Sequence, residues 1–270
     1  MSAQDNAAKV SKVSKAKKRR EQRKRKIFEL NHDPSTNSHK SKKELYLDFK
    51  DHQSYHPESY SDLPINIRKY WNQRYILFSK YDDGIFLDKE SWYSVTPEPI
   101  ALHVAKRCKN KVVIDAFCGS GGNTIQFALH CDKVFAIEID PIKIKLAQRN
   151  AEIYNVQHKI EFINADYTQI AHKLKADIVY LSPPWGGVEY LKSSIFDLSM
   201  LAPIHGKDLF DLSFRITPNI IYFLPKNIDP KEIVQLSHKN FFEIELNYIL
   251  NQLKGVTVYF NGCAKLDQIL

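Results

Sequence analysis

Apolar residues follow two rhythms along this chain. From residue 111 onward, short apolar runs of strand length alternate with stretches in which apolar positions recur every three or four residues. The runs at 111–117 (KVVIDAF), 133–140 (KVFAIEID), 159–166 (KIEFINAD), 176–182 (ADIVYLS) and 219–225 (NIIYFLP) read as five buried strands. Segments 123–130 and 141–154 read as helices, the second opening with Pro141 behind an Asp140 cap. Segments 242–250 (FEIELNYIL) and 254–260 (KGVTVYF) close the pattern as an antiparallel pair. Strand–helix alternation of this kind predicts an α/β fold: a doubly wound, mostly parallel seven-stranded sheet with helices on both faces.

Ahead of the sheet, Pro64 is followed by Ile67, Tyr70, Trp71, Arg74, Tyr75, Leu77 and Phe78 at spacings of three and four. One amphipathic helix with an aromatic-rich face is expected there, ended by a turn at Asp83-Gly84. Residues 1–40 are polar, basic and too poor in large apolar side chains to build a core. The expected organisation is therefore a basic disordered tail over 1–40, an N-terminal helical extension over 41–98 and the α/β domain over 99–270.

Charge changes this picture in one respect. The net charge is +8, and residues 1–30 alone hold 11 basic and three acidic side chains; the remainder, with 28 of each sign, is formally neutral. The body is thus not a broadly basic nucleic-acid platform. The run KAKKRREQRKRK at 15–26 suits a nuclear-import signal, a nonspecific RNA tether, or both. At 43% apolar and 26% charged residues the composition is that of an ordinary globular protein. No apolar run approaches the ~20 residues that span a membrane, and no secretory signal is recognised. The four cysteines show no CxxC pairing, so an intracellular, reduced and metal-free protein is expected.

The first candidate site is the loop Asp115-Ala-Phe-Cys-Gly-Ser-Gly-Gly-Asn123, between the first strand and a helix. Gly119, Gly121 and Gly122 let the backbone approach a ligand closely. Ligands of such sheets sit beyond the carboxyl ends of the strands. The spacing is not the dinucleotide GxGxxG, and an acid, Asp115, stands at the strand end. A carboxylate there suits a ligand with an ammonium group better than a pyrophosphate. The second strand ends in Glu138-Ile139-Asp140, where Glu138 can take the hydroxyls of a ribose and Asp140 caps the next helix. After the third strand, Asp166 can meet an adenine amine. A glycine loop and three acids at consecutive strand ends together resemble the S-adenosylmethionine site of class I methyltransferases.

The most specific motif is Ser182-Pro183-Pro184-Trp185-Gly186-Gly187, after the fourth strand. It resembles the (Asp/Asn/Ser)-Pro-Pro-(aromatic) loop of methyltransferases acting on exocyclic or amide nitrogens. An aryl amine is a weak nucleophile because its lone pair is delocalised into the ring. Acceptors at Ser182 and at the Pro183 carbonyl can hold its N–H groups and aim the lone pair, and paired prolines keep the loop stiff. Trp185 offers an indole face, which stacks a flat base and favours a cationic ring such as 7-methylguanine.

SVTPE (94–98), DAFCGSGGNTIQFA (115–128), LSPPWGG (181–187), YFLPKN (222–227) and KYWNQRYILFSKYDDGI from Lys69 recur in this order in the trimethylguanosine synthase family. The chain is similar to that family over about residues 63–262. The resemblance implies methylation of the N2 amine of a 7-methylguanosine cap on small nuclear and nucleolar RNAs, with S-adenosylmethionine as donor. Such an enzyme is expected in the nucleus and nucleolus, as a monomer, served by ribonucleoprotein components that deliver the RNA. By position, Asp115, Gly119, Glu138 and Asp166 would hold the cofactor, with Thr96 near its methionine end. Ser182, Pro183 and Trp185 would form the catalytic loop, and Lys226 would meet the cap phosphates. Some relatives have arginine at the position of Lys226, and a lysine there gives a point charge in place of a bidentate fork. Aspartate is also common in the family at the position of Glu138, and ribose binding survives that exchange. Lys69, Trp71 or Arg74 could form part of the cap pocket wall, although core packing is the simpler role for most aromatics of that helix.

Two other readings compete. An adenine-N6 or glutamine-amide methyltransferase would use the same loop, but it prefers aspartate or asparagine at 182 and tyrosine or phenylalanine at 185. A non-catalytic RNA-binding factor keeping the fold would not need the intact glycine loop and acids.

Overall fold

The computed structural model describes residues 57, 59–65, 67–187, 193–201, 204–237 and 241–264. The basic tail, with its run at 15–26, and the opening of the expected extension up to residue 56 lie outside the described residues.

Five parallel strands, β1 (Val112–Asp115), β2 (Lys133–Glu138), β3 (Ile160–Asn164), β4 (Ile178–Leu181) and β5 (Ile220–Leu224), join two antiparallel ones, β6 (Phe242–Ile249) and β7 (Gln252–Phe260). Their order in the sheet is β3-β2-β1-β4-β5-β7-β6. The doubly wound, mostly parallel seven-stranded sheet read from the apolar rhythm is therefore the fold. The central strands β4 and β5 are buried at every position, as their continuous apolar runs require.

The chain leaves β1 towards β2 and β3 on one side and returns to β4 on the other. The topological switch point thus lies between β1 and β4, where Asp115 pairs with Tyr180. The glycine loop and the Pro-Pro loop start from these two adjacent strand ends, and the fold alone brings them together.

One face of the sheet is covered by the N-terminal segment with α4 (Glu98–Arg107), α5 (Gly122–His130) and α6 (Pro141–Ile153). The other is covered by α7 (Tyr167–Ile170), α8 (Gly206–Phe214) and α9 (Pro230–Leu236). Asp140 caps α6, its side chain accepting from the Ile142 amide at 2.8 Å, as the Asp-Pro pair predicts. The apolar pattern singles out neither α8 nor α9. The first is capped by the ring of His205, which is a weak sequence signal, whereas Asp229-Pro230 before α9 is the same legible start as Asp140-Pro141.

The aromatic segment corrects the expectation of one helix. It forms two short ones, α1 (Arg68–Trp71) and α2 (Arg74–Leu77), followed by α3 (Ser91–Ser94). Between the first two the bonding tightens to three-residue steps, with the Gln73 amide on the Tyr70 carbonyl. The Arg74 guanidinium takes the Trp71 carbonyl at 3.0 Å, the acceptor that a continuous helix would offer to residue 75. Trp71 stacks on Trp92 with ring centres 6.3 Å apart, and Arg74 lies 4.2 Å over the Trp71 ring. Leu63, Ile67, Leu77, Tyr81, Leu87 and Trp92 are buried in the same cluster as Val113, Ile125 and Tyr180 of the sheet layer.

Candidate active site

The glycine loop is built around a buried acid. Asp115 ends β1 with no exposed surface, its Oδ2 accepting from the Thr124 hydroxyl at 2.6 Å. Its Oδ1 has no hydrogen-bond partner. Burial pushes its pKa up to about 7; the Thr124 hydroxyl and the backbone amides of Phe117 and Thr124 oppose the rise, and the nearby Glu138 charge adds to it. Loop residues turn through left-handed backbone at Gly119 (φ +52°) and Gly121 (φ +94°). Nothing lies within 4 Å of where a Gly119 Cβ would stand, so the backbone there is open to a ligand. Gly121 instead packs on Ala147 of α6, and Gly122 passes beneath Val95, whose Cγ2 would be 2.5 Å from an added Cβ.

Glu138 ends β2 and reaches back under the loop. Its Oε2 accepts from the Gly119 amide at 2.9 Å and its Oε1 from the Asp140 amide at 3.0 Å. Burial raises its pKa, while the backbone bonds and the Lys143 charge oppose the rise. Each oxygen still has acceptor capacity for a hydroxyl. Ile139 beside it is 64% exposed, a large apolar face next to the acid. Asp166, after β3, spends its Oδ1 on the Thr168 amide and hydroxyl at 2.8 and 2.7 Å and so caps α7. Asn164 at the same tip donates to the Glu138 and Ile139 carbonyls, tying β3 to β2.

Thr96 comes to this rim from the N-terminal side. It is buried, its Oγ1 accepting from Asn123 Nδ2 at 3.0 Å, and Asn123 Oδ1 accepts from the Tyr180 hydroxyl at 3.3 Å. The chain Thr96–Asn123–Tyr180 thus links the segment before α4, the first turn of α5 and the end of β4. Asn150 of α6 makes a second link. Its amide exchanges bonds with both backbone groups of Phe86 and donates to the Ser120 carbonyl, each at 2.9 Å. Sequence reading missed Asn123, Thr124 and Asn150. Asn123 and Thr124 follow the glycines directly and could have been suspected, but Asn150 joins residues distant along the chain and carries no local signal.

The second rim is the Pro-Pro loop. Ser182 is half-buried immediately after β4, and Pro183 is buried. Gly186 and Gly187 turn through positive φ (+80° and +70°) with open space around both, releasing the chain behind Trp185. Leu181 pairs with Tyr222 in the last step of the β4–β5 register, and Ser182 follows directly from it. The half-buried Trp185 packs on Phe223, ring centres 5.3 Å apart and planes 39° from parallel. Lys226 is exposed two residues beyond β5, on the same edge of the sheet. Of the residues singled out from sequence, Asp115, Gly119 and Glu138 share one bonded loop, with Thr96 tied in through Asn123. Ser182, Pro183 and Trp185 form the neighbouring loop, and Asp166 lies one strand further out. Trp71 and Arg74 belong to the packed aromatic layer, whereas Lys69 is exposed with its ammonium 5.0 Å from the centre of the Tyr70 ring.

The donor set suits S-adenosylmethionine. An orphaned, buried carboxylate oxygen on Asp115 is an acceptor for an ammonium group, and Gly119 leaves its flank clear. Glu138 has capacity for ribose hydroxyls, and Ile139 offers an apolar face to a flat base. The loop opens α5, whose N-terminal amides favour a carboxylate.

Comparison with known proteins agrees with this geometry. The family model described as RNA cap guanine-N2 methyltransferase matches residues 110–263. The trimethylguanosine synthase of Schizosaccharomyces pombe is 41% identical over 210 residues, covering 74% of this chain and 87% of that protein. That of Saccharomyces cerevisiae is 34% identical over 212 residues, covering 72% and 67% respectively. A crystal structure from Porphyromonas gingivalis W83, assigned as a methyltransferase, superposes with a TM-score of 0.60 at 13% identity. It covers 78% of this chain, which in turn spans 56% of that one, so the likeness concerns fold alone. Methyltransferase family and fold together make S-adenosylmethionine the cofactor. With more than half of its length matched by one family model and a relative 41% identical over most of both chains, this protein belongs to the RNA cap guanine-N2 methyltransferases.

Proposed function

We propose that this chain methylates the N2 amine of the 7-methylguanosine cap of small nuclear and nucleolar RNAs, giving the 2,2,7-trimethylguanosine cap. The observation that carries the reading is the position of Ser182 and Trp185 at the switch point, one strand from the glycine loop. Family membership and two relatives named as trimethylguanosine synthases support it. Ser182 and Trp185 also disfavour the adenine-N6 and glutamine-amide alternative.

Bound, S-adenosylmethionine supplies an electrophilic methyl group. Asp115 and the loop around Gly119 hold its methionine end, with Thr96 close by. Glu138 takes the ribose, and Asp166 keeps its second oxygen for the adenine. Trp185 stacks the cap base, whose positive charge strengthens the contact with the indole face. The Ser182 side chain and the Pro183 carbonyl accept the two N–H groups of the amine and aim its lone pair. Transfer would break the methyl–sulfur bond as the N–C bond forms, leaving the donor as a neutral thioether. The alkylated nitrogen would then be acidic, and Ser182 would pass its one surplus proton to solvent, so no strong base is needed. Positioning accounts for most of the acceleration. Lys226 meets the cap phosphates.

We assign the protein to the nucleus, and within it the nucleolus, on the basic run at 15–26 and on the small RNAs proposed above as its substrates. It acts as a monomer on RNA delivered by ribonucleoprotein partners. Mass spectrometry of 7-methyl-GTP and of GTP, each incubated with protein and methyl donor, tests the function. One or two added methyls on 7-methyl-GTP and none on GTP are expected; equal labelling of both would remove the reading.

A further inference from the structure

Trp185 is held from behind by a residue that carries no role so far. Phe223, buried in β5, packs against it with ring centres 5.3 Å apart. The tip of the Phe223 ring lies over Gly255 of β7, at a level where that strand has no side chain. A Cβ on Gly255 would stand 2.8 Å from Phe223 Cζ, 3.0 Å from Cε2 and 3.0 Å from the Leu224 carbonyl. Gly255 has no positive φ that would call for glycine, so the requirement is space. Asn247 of β6, which pairs with Gly255, anchors the neighbourhood by donating to the Thr257 hydroxyl at 2.8 Å.

We propose that Phe223 is a positioning residue that sets the plane of Trp185 for cap recognition, and that Gly255 is glycine to seat the Phe223 ring. The proposal rests on the reading of Trp185 as the residue that stacks the cap base. An indole can stack a purine only in a fixed plane. Pro183 and Pro184 stiffen the chain ahead of Trp185, and the contact with Phe223 sets the tilt of the ring itself. Cap affinity is therefore tuned from the sheet interior, by two residues that do not touch the RNA.

The test compares wild type with Phe223→Leu, which keeps the site apolar but removes the flat ring, and with Gly255→Ala, which crowds it. Three quantities are read: KM for 7-methyl-GTP, KM for S-adenosylmethionine, and quenching of Trp185 emission by 7-methyl-GTP, isolated by subtracting Trp185→Phe. For both variants KM for 7-methyl-GTP rises roughly tenfold and the quench shifts to higher concentration, as expected for loss of one aromatic pair. KM for S-adenosylmethionine stays within about twofold on the same reasoning. In the double variant the smaller leucine relieves the crowding, so its loss is less than the product of the two.

The proposal is overturned if Phe223→Leu binds the donor normally yet keeps the wild-type KM and quench for 7-methyl-GTP. It is equally overturned if both KM values rise together, which marks a general packing defect. Should Phe223→Leu fail to fold, Gly255→Ala and the milder Phe223→Met decide by the same pair of readouts. A wild-type protein that binds donor but does not methylate 7-methyl-GTP would sink the functional reading itself, an outcome distinct from a silent Phe223→Leu in an active background.

Discussion

The Thr124 hydroxyl donates to Asp115 Oδ2 across 2.6 Å and fastens the first turn of α5 to the last residue of β1. The other oxygen of the same buried carboxylate is left without a partner. This half-satisfied acid gives the cofactor site its expected pH response. Its pKa stands at about 7 in the folded protein against an ordinary 3.8, so over that interval the folded chain keeps a proton that the unfolded chain has lost. The contribution of Asp115 to stability therefore falls as pH rises through the window. Binding of an ammonium ligand runs the other way, because it needs the carboxylate. Affinity for S-adenosylmethionine, measured by calorimetry, is expected to strengthen by roughly eightfold between pH 6 and 7.5 and then level off. Asp115→Asn should bind more weakly with a flat profile. A wild-type affinity that is constant across this range would count against the assignment.

Trp185→Ala should separate the two substrates. Stacking on an aromatic side chain contributes about 1–3 kcal/mol per base, so kcat/KM for 7-methyl-GTP is expected to drop by roughly ten- to a hundredfold. The thermal shift given by S-adenosylmethionine should survive, because Asp115, Glu138 and Gly119 are untouched. If both disappear together, the indole serves packing alone.

Gly122→Ala tests a conflict between local preference and contact. In a helix, alanine is favoured over glycine by about 1 kcal/mol. Here its Cβ would stand 2.5 Å from Val95 Cγ2, and a β-branched side chain cannot swing away freely. Overpacking of this kind costs about 1–3 kcal/mol, so the contact wins and the melting temperature falls. Val95→Ala in the same chain should recover most of the loss. Stabilisation by Gly122→Ala alone would show that the segment before α4 yields more readily than its contacts indicate.

The basic tail should matter for RNA and not for a free cap. Removing residues 1–30 takes away the whole net charge of +8 and leaves a formally neutral body. Turnover of 7-methyl-GTP is expected to be unchanged, whereas KM for a capped RNA of natural length should rise and its dependence on salt should flatten. Identical salt slopes for the full and shortened chains would restrict the tail to a role in nuclear import.

Much of this was legible in the residues themselves. Continuous apolar runs gave β4 and β5, Asp140-Pro141 gave the start of α6, and the glycines after Asp115 gave the loop. The aromatic segment misled, because spacing reports which positions are buried and not whether the helix breaks between them; Arg74 replacing an amide on the Trp71 carbonyl is a tertiary detail. Asp166 shows a related limit. A strand-end acid reads alike as ligand or cap, and here one of its oxygens serves the cap. Phe223 over Gly255 was invisible, since the pair exists only through antiparallel registration of β5 with β7.

The hydrophobic layer shared by Trp92, Leu87 and Tyr81 with Val113 and Tyr180 has a practical corollary for anyone cutting the gene. The segment matched by the family model begins at residue 110, downstream of that wall. A fragment started at that boundary would lose one side of its interior and bring greasy surface into water. It should aggregate when expressed, although every candidate site motif from Asp115 to Lys226 would be present in it.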